Sequence, residues 1–227
     1  MSILLTGNKG FIGSGLECDE GIDLKNGSDI MTYESKRHFD VVIHTAALTS
    51  VTESMQSPKD YVRANILGTV NLLKQHPEAH FIYLSTAGVY GEGLDHTVNS
   101  PLKPDSVYAS TKLAGEYMVR NLARSWCILR LTNVIGEGER GEPNVYQIFK
   151  MAEVLPIYGD GLQTRDFVSV ETVRREIMAA QFKQGIFNVG SGVSITVLEV
   201  ARSFNKPMKF LPARPGEIRN FGIKLDA

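Results

Sequence analysis

The chain opens with Ile3-Leu4-Leu5-Thr6-Gly7-Asn8-Lys9-Gly10-Phe11-Ile12-Gly13, and no other stretch narrows the possible folds as sharply. A short apolar strand runs directly into glycines at three-residue spacing, then into an apolar helix start. The first glycine permits a tight turn. The second lets a pyrophosphate approach the backbone, and the third lets a helix pack closely on the strand. A helix over Phe11–Leu16 would turn its unpaired N–H groups and partial positive charge toward phosphates. Glycine-rich turns also occur without a ligand, but directly after a strand this one favours a dinucleotide.

Apolar strand-like runs then alternate with helix-like runs. Strands are predicted at Ile3–Thr6, Gly21–Leu24, Val41–His44, His80–Ser85, Cys127–Leu131 and Ile186–Val189. Helices are predicted at Phe11–Leu16, Ser28–Arg37, Pro58–Gln75, Ser106–Arg124, Val170–Gln181 and Thr196–Phe204. The alternation indicates an α/β fold, a Rossmann-like doubly wound parallel sheet. Ligands of such sheets bind outside the carboxyl ends of the strands.

At 227 residues and 43% hydrophobic content the chain can bury a real core as one large domain, or a domain with a small lobe. A net charge of −1 leaves no basic footprint for nucleic acid. No apolar run approaches the roughly 20 residues of a membrane span, and the start lacks a signal-peptide pattern. Cys18 and Cys127 are isolated and read as reduced packing residues of a cytoplasmic protein, so no metal is expected.

The run Ser106-Val107-Tyr108-Ala109-Ser110-Thr111-Lys112 places a phenol one helical turn from an ammonium. A free tyrosine titrates near pKa ~10, and a neighbouring cation favours the phenolate. A chance Tyr-x-x-x-Lys on a solvated face is the bland alternative. Small and hydroxyl residues follow the strands: Thr45-Ala46-Ala47, Ser85-Thr86 and Leu131-Thr132-Asn133. His44, among apolar neighbours, reads as a satisfied core histidine.

Together these residues resemble the extended short-chain dehydrogenase/reductases, specifically the NAD-dependent epimerases and dehydratases of nucleotide sugars, with UDP-glucose 4-epimerase as the nearest pattern. The ordered set is Thr6-Gly7-x-x-Gly10-Phe11-Ile12-Gly13, His44-x-Ala46-Ala47, Asn65-x-x-Gly68-Thr69-x-Asn71, Ser85-Thr86, Tyr108-x-x-x-Lys112 and Arg130-x-x-Asn133. It continues with Gly159-Asp160-Gly161-x-Gln163-x-Arg165-Asp166, Phe187-Asn188-x-Gly190-Ser191-Gly192 and Arg214-Pro215-Gly216-Glu217. By that resemblance Tyr108 is the acid/base. Lys112 holds the nicotinamide ribose and lowers the tyrosine pKa, and Thr86 hydrogen-bonds the reacting hydroxyl. NAD would be held by Gly7, Lys9, Gly10, Phe11, Ile12, Gly13, Asp23, Leu24, Thr45, Ala46, Ala47, Asn65 and Ser85, together with Tyr108 and Lys112. Asn133, Asn144, Arg165, Arg214 and Glu217 join Thr86 on the substrate side. A local ion pair with Asp166 is the competing role for Arg165. The resemblance implies a nucleotide-binding domain over residues 1–135. A substrate lobe over 136–227 would return segments near 160–190 to the sheet.

Two departures from the pattern matter. Gly13 to Val41 is too short for a full helix, a second strand and a third, so much of the first helix and the second strand reads as deleted. Asp23 would then stand on the adenine side, with Asp29 as a rival ribose acid and Ser28 as a helix N-cap. The choice of NAD over NADP rests on the absence of a nearby arginine. The short chain after Glu217 implies a small, open lobe. Thr86 is followed by Ala87-Gly88, where dehydratases carry two acids. That favours 4-epimerisation of a UDP-hexose: Tyr108 takes the 4-hydroxyl proton, hydride leaves C4 and returns to the opposite face. The alternatives are an NAD(P)H-dependent keto-sugar-nucleotide reductase and a non-enzymatic dinucleotide-binding regulator. The same resemblance implies a homodimer through a four-helix bundle of Pro58–Gln75 and Ser106–Arg124, with Val62, Ile66, Val70, Leu113, Tyr117 and Met118 as its apolar residues.

Overall fold

The structure is a computed structural model and describes residues 1–138, 143–213 and 218–225. The strands are β1 (Ile3–Thr6), β2 (Glu20–Ile22), β3 (Val41–His44), β4 (His80–Thr86), β5 (Gly93–His96), β6 (Ser125–Leu131), β7 (Asn133–Ile135), β8 (Leu155–Tyr158), β9 (Thr164–Ser169), β10 (Gly185–Val189), β11 (Ser194–Thr196), β12 (Met208–Leu211) and β13 (Phe221–Ile223). The α-helices are α1 (Val51–Gln56), α2 (Pro58–Val62), α3 (Gly68–Gln75), α4 (Val107–Leu122), α5 (Val145–Met151), α6 (Val170–Ala180) and α7 (Val197–Ser203).

Six parallel strands form the main sheet in the order β10-β6-β4-β3-β1-β2. Their apolar residues point alternately to two faces and build a core on each, because side chains alternate along a strand. On one face Leu5, Ile43, Ile82 and Leu129 meet Val170, Val173 and Ile177 of α6. On the other, Leu4, Val42, Phe81 and Ile128 meet Leu72, Leu73 and Val119 of α3 and α4. All four residues of β3 are buried, which is why this strand reads as an unbroken apolar run. The order reverses beside β1, which places a crevice at the carboxyl ends of β1 and β3.

The predicted limits of β1 and β3 coincide with those observed, and α4, α6 and α7 fall within a few residues of theirs. Two predicted helices are absent. Instead of a helix over Phe11–Leu16 there is one 3₁₀ turn, Gly13–Gly15, and Leu16 is already extended. The chain then returns at once, and Asp19 accepts a hydrogen bond from Ile3 N (2.8 Å). Over residues 28–37 there are turns instead of a helix, so Ser28 caps nothing. The Asp29 carboxylate bonds Met31 N (2.9 Å), a local alternative that competes with helix formation. Asn71 of α3 donates to the Ile30 and Tyr33 carbonyls (2.8 and 3.0 Å), supplying the partners a helix would have provided internally.

The C-terminal half adds a smaller layer. β11, β9 and β7 form one sheet, β12 pairs with β8, and Phe149, Leu155, Ile157, Val197 and Val200 fill its core. β13 pairs with β5 and joins the far end of the chain to the segment after β4.

Candidate active site

The site is built on the carboxyl ends of β1, β3, β4 and β6. Gly7 has φ +73°, in the left-handed region that glycine adopts without strain. A side chain there would meet Thr45 Oγ1 at 2.6 Å, and one at Gly13 would stand 2.2 Å from the Gly7 carbonyl. Both glycines are therefore required by close approach. Thr45 donates to the Thr6 carbonyl (2.7 Å) and Ala46 N to Thr6 Oγ1 (3.2 Å), which fixes the small-residue wall 45–47 against the turn.

β2 pairs directly with β1, Thr6 opposite Ile22. Asp23 thus follows the strand adjacent to the glycine strand, where dinucleotide folds carry their ribose acid. This corrects the expectation that Asp23 stands further out, on the adenine side. Its carboxylate accepts from Lys9 N (3.0 Å) and Lys25 N (2.9 Å), tying it to the turn. Leu24 beside it is exposed. Asp29, half-buried, is occupied with Met31 N.

His44 is a core histidine, as expected. Its ring nitrogens bond Thr6 Oγ1 (2.7 Å) and Thr69 Oγ1 (2.9 Å), and burial holds its pKa down at about 3, so it is neutral. Lys112 is only 3% exposed. Its ammonium lies 4.2 Å from the centre of the Tyr83 ring. Burial brings the Lys112 pKa from 10.5 to about 7, with Glu116 pulling the other way. Tyr83 is itself held protonated by burial.

Tyr108, Thr86, Gly88, Asn133 and Arg165 line one cavity of about 400 Å³. The Thr86 oxygen accepts from Gly88 N (3.1 Å), which leaves its O–H to donate outward. A second cavity of about 290 Å³ shares Val51, Thr52, Asn133 and Arg165 with the first, and Asn144, Phe149, Pro156, Tyr158 and Gln163 are among its other walls. Asn144 lines it while serving as N-cap of α5: its oxygen accepts from Gln147 N (3.1 Å) and its amide donates to the Val134 carbonyl (2.8 Å). Asp166 is turned from Arg165, because adjacent strand residues face opposite ways. It accepts instead from Thr132 Oγ1, Ser191 N and Gly192 N (3.2, 2.8 and 2.9 Å). Arg214 and Glu217 lie outside the described residues.

Two expected cofactor residues are placed otherwise. Ser85 faces away from the cavity, and its hydroxyl donates to Glu116 (2.5 Å). Asn65, in a π-helical turn over Arg63–Leu67, spends its amide on the Leu48 backbone (2.9 and 3.0 Å) and on Thr111 Oγ1 (3.0 Å). It is a strut between the loop after β3 and the helix that carries Tyr108.

Sequence reasoning missed Glu116, four residues beyond Lys112 and on the same face of α4. Glu116 and Arg130, each 2% exposed, are joined by two hydrogen bonds (2.7 and 3.0 Å). Arg130 also donates to Tyr90 Oη (2.9 Å), which donates to Asn188 (2.7 Å). The spacing of Lys112 and Glu116 was the available signal. Also missed were Val51 and Thr52 at the start of α1, which border both cavities; their place just after β3 marked them. Among the described residues no group of His, Cys, Asp or Glu could hold a metal, and no helix is long and apolar enough to cross a membrane.

This arrangement can take and return a proton at an alcohol beside a bound dinucleotide. Known proteins have similar chains. A protein of Methanocaldococcus jannaschii named "Putative UDP-glucose 4-epimerase" is 35% identical over 214 residues, covering 87% of this chain and 70% of that relative. The solved structure of MoeE5 in complex with UDP-glucose and NAD superposes with a TM-score of 0.89 at 27% identity, over 99% of this chain and 90% of that one. The structure of TunA, an NAD dependent NDP-hexosamine 5,6-dehydratase, superposes with a TM-score of 0.86 at 28% identity, over 98% and 88%. The family model for NAD dependent epimerases and dehydratases matches residues 17–190, a span that holds Asp23, Thr86, Tyr108, Lys112 and Arg165, and the chain belongs to that family.

Proposed function

We propose that the chain is a nucleotide-sugar 4-epimerase acting on a UDP-hexose, with NAD as its cofactor. The observation that carries this reading is a phenol on the cavity wall one turn before a buried ammonium, with Ala87 and Gly88 directly after Thr86. A dinucleotide suits the glycine turn, which follows β1 at the carboxyl end of the sheet and carries glycine at positions 7, 10 and 13. Gly7 and Gly10–Gly13 would hold the pyrophosphate, Asp23 the adenosine ribose, and Lys112 with Tyr108 the nicotinamide ribose.

When bound, NAD supplies a hydride acceptor and donor at the sugar C4. Tyr108 takes the 4-hydroxyl proton and later returns it. The Lys112 cation favours the phenolate form that does so. The Thr86 hydroxyl donates to the same sugar oxygen. Arg165 stands where the two cavities meet, so a diphosphate across that junction would place a sugar beside Tyr108 and a nucleoside in the second cavity. A guanidinium fork suits such a diphosphate. Gly88 faces the sugar cavity without a side chain, and among the described residues the carboxylate in that lining is Asp105, exposed at the rim. Among the described residues no pair of carboxyl groups lines that cavity, which favours epimerisation over elimination at C5–C6.

The test is incubation of the protein and NAD⁺ with UDP-glucose, UDP-galactose and their N-acetyl and uronate relatives, read by proton NMR. Formation of a C4 epimer without net NADH is expected. Conversion only of keto-sugar nucleotides, with consumption of NAD(P)H, would replace this reading by a reductase.

A further inference from the structure

The glycine turn is gripped from outside. In an α-helix begun at Phe11, the carbonyls of Phe11 and Ile12 would accept from the amides four residues on. Here the helix ends after one 3₁₀ turn. The Gly15 N to Ile12 O distance is a long 3.5 Å. Arg174, from the middle of α6, fills the gap: its Nη2 donates to the Phe11 carbonyl (2.9 Å) and its Nε to the Ile12 carbonyl (3.0 Å). A Cβ at position 15 would stand 2.3 Å from the guanidinium carbon, so a side chain there would push the arginine from this place. α6 is a firm base, with Val170, Val173 and Ile177 wholly buried in the core against which Phe11, Ile12 and Leu16 pack.

We propose that Arg174 is a positioning residue for the dinucleotide turn and performs from α6 what the shortened first helix would otherwise do from within. A trans peptide points its N–H opposite to its C=O. Drawing the Phe11 and Ile12 carbonyls onto the guanidinium aims the amides of Ile12 and Gly13 the other way, away from α6. The fixed positive charge behind the turn stands in for the partial charge of a helix N-terminus. The shortened turn thereby keeps both the orientation and the sign that a pyrophosphate needs. This inference rests on the reading that the turn holds the pyrophosphate of NAD.

The experiment compares the wild type with Arg174→Met, Arg174→Lys and Gly15→Ala, each stripped of bound nucleotide. NAD and UDP affinities are measured by titration calorimetry, and Tm is measured without ligand. Arg174→Met should weaken NAD binding about 10- to 100-fold, the loss expected of two charge-assisted hydrogen bonds. UDP affinity should stay within about twofold of wild type. Lysine should restore part of the loss, since it returns the charge without the fork. Gly15→Ala should reproduce the defect by displacing an intact arginine. Unchanged NAD affinity in Arg174→Met and Gly15→Ala, with normal wild-type binding, would overturn this inference alone. So would parallel losses of NAD affinity, UDP affinity and Tm, which mark a merely structural brace. Failure of the folded wild type to bind NAD would overturn the cofactor reading and this inference with it.

Discussion

Replacing Lys112 by methionine should stabilise the fold while destroying activity. The ammonium is 3% exposed, and its pKa falls from 10.5 to about 7. At about 1.4 kcal/mol per pKa unit, that drop corresponds to roughly 5 kcal/mol of resistance to charging the group in the fold. Methionine keeps the length of the stem and can contact the Tyr83 ring through sulfur. It loses the cation–π contact at 4.2 Å, worth about 2 kcal/mol when desolvated. The remainder agrees with the gain of about 1–4 kcal/mol seen when buried ionic groups yield to apolar ones. For a chain of this size Tm should rise by roughly 2–16 °C. The sign of the pH dependence follows from the lowered pKa. Above about 10.5 the lysine is neutral in both states and exacts no penalty. As pH falls toward about 7 the unfolded chain takes up a proton that the folded one resists, so wild-type stability is lost across that window and the penalty is full below it. The advantage of Lys112→Met should therefore shrink by about 1.4 kcal/mol per pH unit between pH 7 and 9. Urea melts of both proteins at pH 7, 8 and 9, beside turnover assays, measure it. A destabilised variant, or an advantage independent of pH, would refute the reasoning.

Three further outcomes are expected. Glu116→Gln leaves the buried Arg130 without its carboxylate and should destabilise by about 3–5 kcal/mol, visible as a Tm loss of roughly 10 °C in calorimetry. Arg165→Gln should weaken UDP-sugar binding about tenfold or more while leaving NAD affinity unchanged, by titration with each ligand; equal losses for both would remove Arg165 from the diphosphate. Val62 and Tyr117, 41% and 46% exposed on the two helical segments proposed to pair, should lie in a dimer interface. Light scattering after size exclusion should then give a dimer for the wild type and a monomer for Val62→Glu with Tyr117→Glu, and a wild-type monomer at micromolar concentration would exclude the bundle.

The main sheet was legible because its signals are local. β1 and β3 are apolar runs bounded by a turn glycine or small residues, and α4, α6 and α7 begin at capping residues, Ser106, Ser169 and Thr196, whose oxygens accept from the expected backbone amides. The Tyr108–Lys112 spacing needed only helical periodicity. The failures have largely nonlocal causes. Gly13 and Gly15 weaken a helix over Phe11–Leu16 locally, and two distant contacts complete the exit: Asp19 reaches Ile3, and Arg174, 162 residues away in sequence, takes the Ile12 carbonyl. The turns over 28–37 depend on Asn71, also distant. Asp23 was misplaced because the position of β2 in the sheet is a pairing fact, not a spacing. Ser85 could have been read correctly: Thr86 faces the cavity, so its neighbour on the strand must face away. The short strands β7 and β11 carry three residues each, too few for alternation to show.

The central claim is that hydride leaves C4 and returns to it. UDP-glucose deuterated at C4 should therefore be converted to its C4 epimer with the label retained at C4. In a parallel reaction in D₂O, unlabelled substrate should gain no deuterium at C4 or C5. Retention of the label without net NADH is the predicted result. Solvent deuterium at C5, or loss of the label from C4, would contradict the account and point to elimination instead.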